Sequence, residues 1–184
     1  MKLGVLYTII GVVLLCAVAG IATAPVLAQE GQSTEGEIMG EAIISLYNVA
    51  DIWSGASSSN PSYLTVYNGA LYFNANGNDD VGIELWKYDP ASGAQRVADI
   101  YPGAGSSWPR DLAVYNGALY FRANGNDGAG SELRKYDPAI GAQRVADIYP
   151  GVGSSNPGCM AVYNGALYFQ ADGNDGAGAE LWKY

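Results

Sequence analysis

Three glutamates recur at one position of a repeated sequence and are the first candidates for chemistry. Glu84, Glu132 and Glu180 are spaced 48 residues apart, and paired carboxylates are the groups that cleave glycosidic bonds. A catalytic pair needs two different environments, so that the pKa values of its members differ. Because the three glutamates stand at equivalent positions, the sequence predicts no catalytic residue and a non-enzymatic protein.

Oxygen-bearing side chains are also concentrated in three loops rich in Gly, Asn and Asp, one in each repeat. The candidate metal ligands in these loops are Asp79, Asp127 and Asp175. Carboxylate and carbonyl oxygens are the ligands that calcium prefers, although the spacing does not fit an EF-hand. Asn, Asp and Gly are also ordinary turn residues, so plain turns and weak calcium sites both stay open. No other cofactor is expected.

Aromatic residues are the third chemical resource of the chain. Most of the tyrosines recur with the repeat, which is typical of packing between neighbouring sheets. Trp108 differs, because it stands alone where the equivalent residues are Asn60 and Asn156. It lies next to Pro109 in a serine-rich loop and is the candidate for an exposed ligand contact, with a polysaccharide as the ligand.

These residues are positioned by a sequence repeat with a fixed period. Asp51, Asp99 and Asp147 mark the same point in three copies, which we place at 50–97, 98–145 and 146–184. A period in this range is typical of repeat proteins, in which one unit does not bury its apolar surface alone. The residues 42–184 therefore form one β-repeat domain.

The middle repeat predicts the local structure most clearly. Asn116-Gly117 lies between two alternating apolar runs, 111–115 and 118–124, which is a strong signal for a two-residue hairpin. In that register Leu112 faces Phe121, and both faces of the hairpin are apolar or aromatic, so both need to be covered. Further strands are predicted at 131–136 and 143–148.

Four short antiparallel strands in each repeat, apolar on both faces, favour an all-β fold of tandem four-stranded blades of the β-propeller type. A solenoid of stacked hairpins is the alternative. An N-terminal apolar helix would precede these repeats.

The repeats resemble the ELWxxDGT repeat family in four signatures. These are Glu84-Leu85-Trp86-Lys87, which recurs at 180–183, the strand end that runs through Pro102-Gly103, the Asn-Gly hairpin and the Gly/Asn/Asp loop. The resemblance implies a propeller-like fold in a secreted or surface protein and no common catalytic activity. The chain departs from the family in two places, since its turn is Asp89-Pro90-Ala91 and the middle tryptophan is replaced by Arg134.

The two ends of the repeat array predict an interaction between subunits. The segment 43–52 ends like the fourth strand of a repeat, and the last repeat stops within its third strand. An unpaired sheet edge is a template for strand addition. We therefore expect one subunit to complete the last sheet of the next, as a ring or a filament. The expected contact residues are Ile44, Leu46, Val49, Leu181 and Trp182. A closed three-blade monomer and a truncated array without function at its ends remain alternatives.

The N-terminal segment has the pattern of a secretory leader. Lys2 precedes an uncharged apolar run, and Val26-Leu27-Ala28 offers small residues for cleavage. Residues 1–28 are thus a signal peptide or, since the run is long enough to span a bilayer, a membrane anchor. Residues 29–41 are predicted to be a flexible linker.

Charge and cysteine content narrow the function classes. The net charge is −9, which argues against nucleic acid or an anionic membrane as a partner. The chain has no histidine, so it lacks the commonest general base and the commonest metal ligand. Cys159 is the single cysteine beyond the leader, and the sequence does not decide its role. We expect a secreted or cell-surface structural module that self-assembles, and the alternative is a lectin-like adhesion module.

Overall fold

The computed structural model describes residues 45–184 and the backbone of Thr34–Glu35. The predicted leader, residues 1–28, with its apolar helix, most of the linker 29–41 and the contact residue Ile44 lie outside the described residues. The chain divides into two units, residues 1–48 and 49–184. No helix long and apolar enough to cross a membrane is present among the residues that are described.

The described part of the first unit contains two short strands. Strand β1, Thr34–Glu35, pairs antiparallel with β2, Ser45–Leu46, so that Thr34 lies opposite Leu46. Of the segment 43–52, in which the sequence predicts a strand end, the described part is strand only at these two positions.

The second unit consists of three antiparallel sheets, one from each repeat, and within residues 49–184 there is no helix. In each sheet the strands follow one another in chain order. Sheet 1 comprises β3 Ser62–Tyr67, β4 Ala70–Asn76, β5 Ile83–Asp89 and β6 Gly93–Ala98. Sheet 2 comprises β7 Arg110–Tyr115, β8 Ala118–Asn124, β9 Ser131–Asp137 and β10 Gly141–Arg144. Sheet 3 comprises β11 Gly158–Tyr163, β12 Ala166–Asp172 and β13 Ala179–Lys183. The all-β prediction is confirmed.

The Asn-Gly pairs form the predicted two-residue hairpins. Asn116 and Gly117 both have positive φ angles, 46° and 76°, as a type I′ turn requires. Tyr115 pairs with Ala118, as the sequence predicts. The register shifts between Ala113, which lies opposite Tyr120, and Arg110, which lies opposite Arg122, so that Asp111 and Leu112 both lie opposite Phe121. Asp111, at a φ of 54°, is the extra residue of this bulge.

The fourth strand of the middle repeat also differs from the prediction, which placed it at 143–148. It spans Gly141–Arg144, and the backbone N–H of Val145 still bonds to Leu133 O at 2.8 Å. The N–H of Ile148 instead donates to the side chain of Glu132. Since that amide is taken by a carboxylate, it is not available to the neighbouring strand.

Both faces of sheet 2 are covered, which the two apolar faces of its hairpin require. Leu119 and Phe121 pack with Tyr72 and Leu85 of sheet 1. On the opposite face Tyr120 packs in a second cluster, the members of which in sheet 3 are Leu167, Phe169 and Ala171. The core therefore consists of two apolar layers between three sheets, and each repeat depends on its neighbour for burial.

Candidate functional site at the junctions between repeats

Each junction between two sheets is fixed by a buried glutamate. Glu84 is fully buried at the start of β5, and its carboxylate binds the loop that leads into the next sheet. Oε2 accepts hydrogen bonds from Ile100 N at 2.8 Å and from the Ser107 hydroxyl at 2.6 Å. Oε1 accepts one from Ser107 N at 2.9 Å. A charged acceptor with several donors is a strong anchor.

The second junction repeats this arrangement. Glu132 is fully buried and accepts from Ile148 N at 3.0 Å and from Ser155 N at 2.8 Å. The Ser155 hydroxyl donates to Oε2 at 2.5 Å. Two independent copies of the same contact, with three equivalent donors in each, show that this glutamate, which the sequence offered as a possible catalytic group, connects successive sheets.

Burial has an electrostatic cost at Glu84. Removal from water raises the pKa of its carboxyl above the ordinary value of 4.5, and the hydrogen bonds from Ser107, Ile100 and Tyr101 only partly oppose this. The carboxylate is therefore held in an environment that resists ionisation, and its donors are what keep it satisfied.

A serine and a glycine complete each junction. The N–H of Ile83 donates to Ser106 Oγ at 2.9 Å, and in the next repeat the N–H of Ser131 donates to Ser154 Oγ at the same distance. A Cβ atom on Gly82 would collide with the carbonyl oxygen of Gly105. Only glycine permits this approach, so the loop of one repeat lies directly against the strand of the repeat before it.

Tyrosine hydroxyls reach across the junctions to the hairpins. Tyr67 donates to the carbonyl of Gly117 at 2.8 Å, and Tyr115 donates to Gly165 at 2.9 Å. The rings pack in the interface, with Tyr72 and Tyr136 separated by 5.8 Å between ring centroids. The recurrent tyrosines thus line the contacts between sheets.

Three of the predicted subunit-contact residues are exposed, and at one of them, Leu181, both internal equivalents are buried. Leu181 is 77% exposed, whereas Leu85 and Leu133 at the same repeat position are 0% and 1% exposed. Leu46 and Val49 are also exposed. Trp182 differs, because it packs against the cluster between sheets 2 and 3 and its indole N–H donates to Ala171 O at 2.7 Å.

The three candidate metal ligands lie in separate loops. Asp79 forms an ion pair with Arg96, and Asp127 forms ion pairs with Arg134 and Arg144. Asp175 accepts from the N–H of Ala177, which is an ordinary turn contact. Within residues 45–184 there is no group of three or more His, Cys, Asp or Glu residues that could hold a metal ion.

Arg134 replaces the repeated tryptophan without disrupting the sheet. Its side chain is buried, its Nε donates to Ala123 O at 3.2 Å and its Nη2 donates to Asp127 at 2.6 Å. Burial alone would raise the pKa of the Asp127 carboxyl, but the hydrogen bond and charge of Arg134, together with Arg144, hold that pKa below its usual value.

Trp108 lies in an open cleft between sheets 2 and 3. Trp108 is 47% exposed. The cleft has a volume of about 250 Å³ and is also lined by Arg110, Arg122, Ser131 and Asn156. The guanidinium carbon of Arg110 is 5.2 Å from the centre of the indole. The predicted ligand contact is therefore accessible and lies beside two cations.

The backbone at Trp108 is unusual for so large a residue. Its φ angle is 53°, and the equivalent residues Asn60 and Asn156 have 47°. Asparagine adopts this left-handed conformation readily, whereas a bulky side chain there is strained. Cys159 has a comparable φ of 51° and its thiol is free and exposed.

Sequence reasoning missed the serines of the junction. Ser107 and Ser155 follow Glu84 and Glu132 by 23 residues, and this fixed interval recurs with the repeat. The interval is the signal that could have identified the glutamate as a ligand of the loop.

Comparison with known proteins finds no family model, no curated protein and no solved structure that matches the chain. The resemblance to ELWxxDGT repeats stays a prediction.

Proposed function

We propose that the chain is a non-enzymatic extracellular structural module that assembles with copies of itself at the cell surface, as a ring or a filament. Its sheets act as blades of the β-propeller type. The N-terminal segment, cleaved or retained, directs export, and a retained segment is the one contact with the membrane.

One observation carries this proposal, namely the contrast in exposure between equivalent faces. Leu181 and Tyr163 of sheet 3 are exposed, while Leu85 and Tyr67, their equivalents in sheet 1, are buried against the next sheet. A surface that is internal elsewhere in the same molecule has the composition of an interface. A repeat of a second subunit supplies the matching surface.

In this assembly the N-terminal strand of one subunit pairs with the edge strand β13 in sheet 3 of another, which we call strand exchange. In sheet 2, β10 pairs with β9 so that Gln143 lies opposite Lys135. The equivalent residues are Tyr47 and Lys183, 96 and 48 residues away respectively. A strand has two hydrogen-bonding edges, and the pairing of Ser45–Leu46 with Thr34–Glu35 uses one of them.

Light scattering on the full chain tests the proposal. We expect the wild type to form oligomers and Tyr47→Pro to weaken them, since proline removes the N–H that strand pairing needs. Tyr47→Phe is the matched control and should assemble normally. A wild type that stays monomeric at every concentration contradicts self-assembly, and undiminished oligomers of Tyr47→Pro contradict strand exchange.

The cleft at Trp108 favours a second candidate function, a lectin-like adhesion module. An exposed indole offers a flat apolar face for a sugar ring, and Arg110 and Arg122 add donors for its oxygens. The ligand class is a polysaccharide.

A further inference from the structure

We propose that Glu180 of one copy binds the loop 51–59 of a second copy, so that assembly is head-to-tail and the intermolecular junction repeats the two internal ones. This inference rests on the proposed self-assembly and names the atoms that would carry it. The occupant of the exposed face of sheet 3 is thus sheet 1 of another subunit together with its leading loop.

Glu180 has the place of the buried glutamates without their partners. Glu84 and Glu132 each bind the loop of the following repeat. Glu180 is exposed, and none of the residues described in the structure donates a hydrogen bond to its carboxylate. A charged acceptor at this position is suited to the same three donors.

The loop 51–59 supplies those donors in the same arrangement. Ile52 and Ser59 are the equivalents of Ile100 and Ser107. At each loop the second serine also accepts a backbone bond from its own sheet, from Asn76 N to Ser59 O at 2.9 Å and from Asn124 N to Ser107 O at 2.9 Å. Ser59 is half-buried whereas Ser107 is fully buried. The loop is therefore anchored on its own sheet like the others, and its other side is unoccupied by a glutamate among the described residues.

The backbone around Glu180 provides a second, independent match. A Cβ atom on Gly82 or Gly130 would collide with the loop of the next repeat, whereas nothing lies within 4 Å of such an atom on Gly178. Gly178 has the same positive φ, 76°, although no loop of the described structure lies against it. In the proposed junction Ser58 Oγ accepts from Ala179 N, as Ser106 Oγ accepts from Ile83 N.

Tyr163 defines the far end of the same surface. Its equivalents Tyr67 and Tyr115 donate to the carbonyls of Gly117 and Gly165 in the next hairpin, and Tyr163 is 64% exposed. The matching acceptor on a second copy is the carbonyl of Gly69. One interface thus has a charged contact at one end and a hairpin contact at the other, which fixes its polarity as heterologous.

Glu180→Gln on the full chain tests the inference. The amide keeps the shape of the side chain but turns one oxygen into a donor that faces the N–H groups. We expect the apparent dissociation constant of the oligomer to rise about tenfold or more, while circular dichroism and the melting temperature of the dilute chain stay at wild-type values. Ser59→Ala should weaken assembly by removing one of the donors.

A crosslinker locates the contact independently of the variant. Benzoylphenylalanine at position 163 should crosslink to residues 68–70 of another copy, which mixing of light and heavy isotope-labelled chains and mass spectrometry identify. A Glu180→Gln chain that assembles like the wild type, or crosslinks confined to the same molecule, overturns the head-to-tail contact alone. A wild type that never assembles overturns the proposed function and this inference together.

Discussion

Arg134 of sheet 2 and Trp182 of sheet 3 donate hydrogen bonds to equivalent backbone carbonyls. The Nε of Arg134 bonds to Ala123 O, and the indole of Trp182 bonds to Ala171 O, the equivalent atom. The indole N–H of Trp86, at the same position of sheet 1, has no hydrogen-bond partner, so the contact recurs in two of the three sheets. In sheet 2 a guanidinium makes this bond and adds a charge.

Substitution of Arg134 separates these two roles. Arg134→Ala should lower the free energy of unfolding by about 1–3 kcal/mol, since it leaves a buried carbonyl without its donor. Arg134→Trp restores the repeat residue and the indole N–H, so it should be less destabilising than alanine. Urea unfolding of both variants measures this, and equal losses would contradict the shared hydrogen bond.

The ion pair of Asp127 predicts a dependence of stability on pH. The folded pKa of this carboxyl lies below its usual value of 3.8. Its contribution to stability is therefore present above the unfolded pKa and is lost as the pH falls through the folded one. The difference in unfolding free energy between wild type and Asp127→Asn should shrink as the pH is lowered below about 4. Asp175→Asn is the matched control, because the residue equivalent to Arg134 in that repeat is Trp182. Its effect on the unfolding free energy should depend less on pH.

Substitution of a junction glutamate should lower the free energy of unfolding more where the glutamate is buried than where it is exposed. Glu84→Gln and Glu132→Gln should each lower the free energy of unfolding by about 1–3 kcal/mol, because the new amide presents a donor to buried donors. Glu180→Gln, at the exposed equivalent, should leave the dilute chain unchanged. Denaturant titration at low protein concentration distinguishes the three, and equal effects at all three positions would contradict the junction role.

The cleft at Trp108 offers a substitution that separates binding from stability. Trp108→Asn places the residue of Asn60 and Asn156 into a backbone conformation that asparagine tolerates. We expect the variant to be as stable as the wild type or more stable, by up to about 1 kcal/mol, and to lose polysaccharide binding. Glycan-array binding that is absent in the wild type, or retained in the variant, would contradict the lectin-like function.

Calcium binding at the Asp loops has its most available carboxylate at Asp175, since Asp79 and Asp127 are paired with arginines. If the predicted sites form, calcium should raise the melting temperature of the wild type, and Asp175→Asn should reduce that rise. A melting temperature that does not change on addition of calcium or of a chelator would contradict the metal site.

The parts of the fold that local residue types dictate were predictable from sequence. The Asn-Gly turns placed the hairpins, because few other pairs accept two positive φ angles. The bulge before each hairpin was not predictable. Its residue is Tyr63, Asp111 or Cys159, three different types with φ angles between 51° and 57°, so no residue type marks it. The partners of Glu84 lie 16 to 23 residues further along the chain, and a local pattern does not reveal contacts at that distance.

The glutamate and its serine are 23 residues apart and lie in successive repeats, so every repeat carries one half of two successive junctions. A gene that gains or loses a whole 48-residue repeat still pairs each glutamate with the serine of the following repeat. The number of repeats can therefore change without other substitutions at the junctions. The same arrangement makes folding a nearest-neighbour process. Each end unit contacts one neighbour and the central unit contacts two, so heat or denaturant should unfold the end units before the central one.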